Sequence, residues 1–500
     1  MKINENKFLF KIFTFFIIFT VFLFSVLLSC KSEKSSISES NEKINEKTEE
    51  NIKQDQSIFE ILPPNDFNGD LFRIYIPPNP DSPVDKGTFA EEITGEAFND
   101  TVYNRNRKVE DQYNVKINPV YGNSWDSTYA DLKKDVNAGD LRAEVYFTHV
   151  INGVASMASD GLLQVWDAVP HLDFFSPWWN QTIIKNLNIA GKTFYTAGSM
   201  SIQEPLVLLF NKTLIQALAL PDPYKLVREG KWTIDKLNEM AVLGLKDLNG
   251  DGKFEKTDDQ FGLEYGIQWQ TPALMYACDE ISVVLDENGY PNIEIDNQKK
   301  IDAYEKLYNL LWEGDKTYCY VGNTAATANI PHIGIDSGRV LFVQWNLFSC
   351  EKLRAAEVEY GILPLPKYDE KQEKYFSNSW TGMYGLPVCI PENKLEMIGL
   401  VMESMSALGY YEVIPVYYDN LLKEKVSRDE DSREMLDIIL GGMVFDLGLN
   451  FQTGSSQPGF FVNELLKSKN KNYISAVEKQ KEKIISDYDK LYKKIAGIGD

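Results

Sequence analysis

The spacing of apolar and polar positions changes several times along the chain, and each change predicts an element. Residues 71–76 (LFRIYI) are rich in β-formers and end at Pro77-Pro78, which predicts a strand. From residue 91 to 113 the apolar Ile93, Ala97, Val102 and Val109 recur at roughly helical spacing, so a helix follows. Residues 115–120 predict a second strand, 125–138 a helix that stops at Gly139, and 143–148 a third strand. A further helix opens at Gly153 and stops before Gly161; residues 192–195 and 205–210 are extended. Alternation at this pitch implies βαβ units and a mostly parallel sheet. After Asn211 the pattern turns helical at 213–219, 233–245 and 299–312, with 339–345 and 359–363 extended. Residues 382–390 predict a strand and 394–408 a helix. From Tyr410 onward the chain is mostly helical, closing on a charged amphipathic segment, 472–495. No internal repeat is present, and two α/β lobes with crossings between them are the simplest partition.

The amino terminus follows another rule. Lys2, Lys7 and Lys11 precede an almost unbroken apolar run over residues 12–28. That run is at the lower limit for crossing ~30 Å of hydrocarbon as a helix. It closes on Leu27-Leu28-Ser29-Cys30, which resembles a bacterial lipobox, although Leu28 stands where a small or polar residue is usual. Residues 1–29 are therefore expected to be a signal peptide and Cys30 the diacylglycerol-bearing new terminus; an uncleaved anchor is the alternative. Residues 31–57 are almost all Lys, Glu, Ser, Asn and Gln. They bury too little apolar surface to offset ordering entropy, so 30–57 is expected to be a mobile tether reaching about 25–30 Å.

Composition narrows the classes. The 500 residues are 44% hydrophobic and 25% charged, an ordinary globular balance. Lys and Arg number 51 against 73 Asp and Glu, a net charge of -22 that repels phosphate backbones, so no nucleic-acid partner is expected. Five Cys do not make a disulfide framework, and three His argue against a His-rich metal enzyme. Cys278, Cys319, Cys350 and Cys389 are widely spaced and read as buried apolar residues, with one disulfide as the alternative.

Several segments, in order, carry a family resemblance. They are Thr94-Gly95-Glu96 with Asn99 to Asn106, Gly161-Leu162-Leu163 with Pro177-Trp178-Trp179-Asn180-Gln181, and Gly191 to Tyr195. Leu209-Phe210-Asn211-Lys212, Asp222-Pro223-Tyr224 with Gly230 to Thr233, and Tyr360 to Glu370 complete the set. Together, over about residues 90–370, the chain resembles bacterial extracellular solute-binding proteins, the lipid-anchored receptors of ABC importers, of the sugar-type group. The resemblance implies an α/β fold of the type II periplasmic-binding-protein kind, a Venus flytrap of two α/β lobes with a ligand cleft between them. The expected divisions are 58–205 as lobe 1, 206–365 as lobe 2, 366–410 as a return to lobe 1, and 411–500 as a helical completion of lobe 2. Whether Phe451-Gln452-Thr453-Gly454 also touches the cleft stays open. The implied partners are a small carbohydrate, permease subunits and, through the lipid, the outer face of the cell membrane; a monomer is expected.

Ligands of open α/β sheets bind beyond the carboxyl ends of strands, which selects Thr148 and His149. Sugars present apolar C–H faces and a hydroxyl rim, matched by flat aromatics and by polar side chains. Trp345 with Asn346, Trp380, Trp269 and Gln203-Glu204 lie at predicted strand ends or loops; for each, core packing is the competing reading. In the resembling family an aromatic at the position of Trp345 commonly reaches the ligand. Trp178-Trp179 read as packing. Residues 247–258 fit an EF-hand-type loop, with Asp247, Asn249, Asp251, the Lys253 carbonyl, Glu255 and Asp258 as oxygen ligands for a structural Ca2+; a pair of Asx-Gly turns is the alternative. No Gly-x-Ser-x-Gly, His-Glu-x-x-His or phosphate-cradling loop is present, so an enzyme is not expected. The rivals are an extracellular carbohydrate-active enzyme, which turnover of oligosaccharides reveals, and an adhesin or sensor lipoprotein, which lacks permease partners.

Overall fold

In the computed structural model, residues 58–78, 87–320, 333–353, 356–380, 382–423, 430–453 and 456–498 are described. The expected signal peptide, the expected lipidation site Cys30 and the expected tether lie outside the described residues. The chain divides into residues 1–63 and 64–500. In the first unit a helical turn is closed by the Leu62 N–H on the Ile58 carbonyl at 2.9 Å.

The second unit holds all the strands. β1 Asp70–Ile76, β2 Val115–Tyr121, β3 Val145–His149, β4 Leu163–Gln164 and β5 Tyr195–Thr196 come first. β6 Leu206–Asn211, β7 Phe261–Gly266, β8 Val283–Leu285, β9 Pro291–Ile293, β10 Thr317–Tyr320, β11 Val340–Asn346 and β12 Tyr360–Leu363 follow. β13 Ser377–Asn378, β14 Gly382–Pro387 and β15 Met443–Val444 complete the set. One sheet has the order β2-β1-β3-β14-β4, with β5 also on β14; the other has the order β10-β7-β11-β6-β12. β1 runs parallel to β2 and β3, and β14 is antiparallel to β3. β7 runs parallel to β10 and β11, and β6 is antiparallel to β11. Each sheet thus has three parallel strands beside one antiparallel strand that enters from the other half of the chain, and that strand is flanked in turn by β4 and β5 in the first sheet and by β12 in the second. The two entering strands lie side by side at their start, where Pro205 bridges Ser379, and β13 pairs with β15 from a third crossing. Two lobes tied by crossing strands follow from this exchange.

Local chemistry sets the element ends. The helix expected from residue 91 begins at Ala97, because Glu96 caps it by accepting the Phe98 and Asn99 N–H groups at 3.1 and 2.7 Å. The helix expected from Trp125 begins only at Thr128, which leaves Trp125 in a loop. β7 is not evident in the apolar pattern, since Gly262, Glu264 and Gly266 occupy half of it. The buried Glu264 is accommodated by accepting the Gly334 N–H at 2.9 Å. Arg105, inside one of the family-like segments, is fully buried and donates to the Thr88 carbonyl at 2.8 Å and the Met200 carbonyl at 3.3 Å. Its role is to tie the helix Ala97–Tyr113 to two loops.

Two expectations need correction. Residues 411–500 do not complete lobe 2 alone: the helix Ile414–Lys423 packs on Ala97–Tyr113, and Lys494 of the last helix pairs with Asp160 at 2.8 Å. Asp446, by contrast, binds the second half, accepting from Tyr276 Oη, Ser282 N and Val283 N at 3.0, 2.9 and 3.1 Å. The four cysteines from Cys278 onward are free; Cys278 and Cys350 are buried and the half-buried Cys319 packs against the core, but Cys389 is exposed, so core packing does not account for it.

Candidate functional site

β3 ends in Thr148 and His149 at the carboxyl edge of its sheet, and β7 runs at its carboxyl end into the helix Ile267–Ala277. His149 and Trp269 therefore leave the two sheets at equivalent edges. Trp380 stands on the crossing between β13 and β14. Its ring is parallel to that of His149, with centroids 6.0 Å apart and 2° between planes, and edge-on to Trp269 at 5.4 Å and 86°. Trp125 leans on His149 at 5.0 Å, and Phe460 meets Trp380 at 6.3 Å and Trp269 at 6.1 Å. A single crossing residue joins rings from both lobes. Contacts of this kind contribute about 0.5–1.5 kcal/mol each beyond burial.

The polar atoms of this region are not satisfied. His149 is 8% exposed, and its Nδ1 has no hydrogen-bond partner among the described residues. Within the ring cluster the same holds for the indole N–H of Trp380; outside it, in β11 and β13, it holds for the Trp345 indole N–H, Gln344 Oε1 and both amide atoms of Asn378. Buried polar groups are nearly always paired, and an orphan costs roughly 1–3 kcal/mol. Orphaned donors and acceptors beside flat rings are what a hydroxylated ligand with apolar faces would satisfy. Burial pushes His149 down to about 3, against a main-chain hydrogen bond with Trp380 that pulls the other way. The imidazole is neutral at pH 7, and with its other nitrogen engaged by Trp380, Nδ1 is an acceptor.

Of the residues expected at the ligand, His149, Trp269 and Trp380 come together. Thr148 turns to the main chain, its Oγ1 donating to the Asn152 carbonyl at 3.0 Å. Glu204 is buried at the crossing; its N–H donates to Ser379 Oγ at 3.1 Å and its carbonyl accepts the Trp380 N–H at 3.3 Å. Gln203 departs from the group and lines a separate cavity of about 300 Å3 with Trp178, Tyr410 and Tyr418. Trp345, 3% exposed, and Asn346 end β11 in the second sheet. Trp125, Asn378 and Phe460 were not expected. Trp125 falls inside a segment of helical spacing, and Phe460 comes from a distant helical region whose placement no local pattern states.

Trp178 and Trp179 are structural, as their pairing suggested. Their indole N–H groups donate to the two oxygens of Glu403 at 3.0 and 2.8 Å, and Asp173 N adds a third contact at 3.3 Å. Desolvation holds the Glu403 carboxyl up, to about 7, although these donors oppose it.

In the loop 247–258 the carboxylate of Asp247 accepts the N–H groups of Gly250 and Gly252 at 2.6 and 2.8 Å, and Asp251 accepts that of Lys253 at 2.8 Å. Gly250 and Gly252 have φ of 77° and 78°, the left-handed turns that glycine permits. The inward acid is Asp259, not Asp258: it accepts from Leu248 N and Glu255 N, both at 2.8 Å. Among the described residues, no three His, Cys, Asp or Glu side chains converge as a metal site. Each Asp oxygen nevertheless keeps a lone pair beyond its N–H bond.

No helix among the described residues is long and apolar enough to cross a membrane. No family model and no curated protein matches the chain. Solved structures do resemble it. UspC of M. tuberculosis aligns with a TM-score of 0.54 at 13% identity, over 84% of this chain and 100% of its own. An ABC transporter solute-binding protein of Thermotoga lettingae, bound with α-D-tagatose, aligns at 0.52 and 14%, over 84% and 100%. The GacH receptor of Streptomyces glaucescens, known with acarbose, aligns at 0.52 and 15%, over 84% and 99%. The shared architecture is the type II periplasmic-binding-protein fold of two α/β lobes.

Proposed function

We propose that the protein is an extracytoplasmic receptor that captures a mono- or oligosaccharide in the cleft and delivers it unchanged to an ABC importer. The observation that supports this best is the ring cluster His149–Trp380–Trp269, built from both lobes and carrying two polar atoms without a partner among the described residues, His149 Nδ1 and the Trp380 indole N–H. The rings suit the C–H faces of a sugar; Nδ1 of His149 accepts a hydroxyl, and the Trp380 indole N–H donates to one. A ligand touching both lobes binds the closed form better than the open one, and shifts that population by the difference. An affinity near 1 µM, about 8 kcal/mol, fits such a receptor. Calorimetric titration against a panel of neutral sugars tests it; no binding by any of them, or conversion of a bound sugar to product, rejects it.

Two further features belong to the same proposal. A diacylglycerol on Cys30 would hold the receptor at the membrane, and a Cys30→Ala chain recovered in the soluble fraction is the expected outcome. Ca2+ at Asp247, Asn249, Asp251, the Lys253 carbonyl, Glu255 and Asp258 would brace the loop. At a hundred times its Kd, calcium would then add about 2.7 kcal/mol of stability; a melting temperature indifferent to calcium and chelator removes this feature.

A further inference from the structure

A cavity of about 310 Å3 adjoins the ring cluster and shares Trp269 and Phe460 with it. Three elements build it. The first turn of the helix Ile267–Ala277 supplies Gln268 and Trp269, the segment 452–464 supplies Gln452, Phe460 and Asn463, and the last helix, Tyr473–Ala496, supplies Gln480 and Ile484, one turn apart.

Its chemistry is amide rather than charge. Asn463 is 1% exposed, its Nδ2 donates to the Gln268 carbonyl at 2.7 Å, and its Oδ1 has no partner among the described residues. A buried acceptor left without a donor costs roughly 1–3 kcal/mol, so a hydroxyl placed there would be favoured. The one carboxylate of the lining, Glu464, is paired with Lys467 at 2.9 Å. Glutamine and asparagine amides both donate and accept, which suits a neutral ligand rimmed by hydroxyls. The volume is at the small end of the roughly 300–1,000 Å3 of ligand pockets, room for one sugar unit rather than a whole oligosaccharide.

We infer that this cavity is a second sugar subsite, continuous with the ring cluster, so that the protein selects at least two linked units and reads the second through Asn463 and the last helix. The inference rests on the proposed sugar receptor and deepens it.

The test is calorimetry of the full chain with glucose, galactose, mannose and xylose, and with maltose, cellobiose, galactobiose, mannobiose and xylobiose. One disaccharide is expected to bind at least tenfold tighter than its own monosaccharide, a gain that Asn463→Leu abolishes while monosaccharide affinity changes less than twofold. Gln480→Ala, on the exposed face of the last helix, is expected to reduce the gain severalfold and keeps the test decisive if Asn463→Leu does not fold. A disaccharide no tighter than its monosaccharide, or a gain intact in the folded variants, overturns the subsite alone and leaves the sugar receptor standing. No binding by any of these sugars rejects the receptor reading itself, and the subsite with it.

Discussion

Two aromatic groups in this molecule look alike in sequence and differ in one respect. Trp178 and Trp179 deliver both indole N–H groups to Glu403, and the set is closed. The rings of His149 and Trp380 lie parallel, yet Nδ1 of one and Nε1 of the other have no hydrogen-bond partner among the described residues. Burial does not separate the two groups, since Trp179 and His149 are both buried. Completion of hydrogen bonds does. A finished polar network belongs to folding, while under the proposed function the unfinished one at the meeting of two lobes is where the hydroxyls of a ligand would pair.

Substitution should split the two groups most sharply at their tryptophans. Trp179→Ala leaves a cavity and an unmatched carboxyl, and should cost about 3–5 kcal/mol in denaturant unfolding with sugar affinity within twofold. Trp380→Ala should do the reverse, weakening sugar binding by roughly 30-fold or more with a smaller loss of stability. If both variants lose affinity equally, the distinction fails.

Glu403 sharpens the same contrast through pH. Its carboxyl is held up to about 7 by burial, so the folded chain holds that proton more tightly than the unfolded chain does. The stabilisation is complete below the ordinary carboxyl range and is lost as pH rises through 7, a decline on the order of 3 kcal/mol. Asp173, which accepts the Phe175 N–H and Ser176 Oγ–H, is the neighbouring charge that pushes in the same direction. Glu403→Gln should flatten this decline and lower stability below pH 6, because an amide N–H must face an indole N–H. Denaturation midpoints between pH 4 and 8 measure both; an unchanged slope in the variant rejects this account.

A smaller effect of opposite sign is expected at Asn378. Both of its amide atoms are orphaned at 1% exposure. Asn378→Leu keeps the branched shape of the side chain and removes the orphans, so unfolding should cost about 1 kcal/mol more while sugar affinity falls. A variant that is destabilised and binds normally would place Asn378 with the finished networks.

The strands and their alternation with helices were legible because β1, β3 and β11 are rich in β-branched and aromatic residues and β6 is a short run of consecutive apolar residues. β7 was not, since its Glu264 is accommodated in a central strand by the distant Ile333 and Gly334 N–H groups. At the site, the rule of strand carboxyl ends located His149, and isolation among small polar residues located Trp380. Trp125 and Phe460 escaped notice because one lies in a segment of helical spacing that forms no helix there and the other arrives from the far end of the chain. Gln203 and Glu204 are neighbours in sequence, and no pattern states that their side chains part. Such facts belong to tertiary geometry, which periodicity does not encode.

The smallest expected effect is an absence, and it separates His149 from Glu403 most cleanly. Its folded value of about 3 lies far below that of a free imidazole, so the neutral ring is favoured and the unfolded chain takes up the proton first. Stability should therefore be unaffected by this group above its unfolded range near pH 6.5 and decline only as pH falls from there toward 3. Sugar affinity, which depends on the folded ring alone, should stay flat between pH 5 and 8, whereas stability varies there because Glu403 and His149 act with opposite sign. His149→Phe keeps the ring contact with Trp380 and deletes the Nδ1 acceptor, so affinity should fall about tenfold at every pH in that range. An affinity in the unsubstituted protein that titrates near pH 6 would mean the imidazole takes up protons in the cleft, and the acceptor role argued for Nδ1 would be lost.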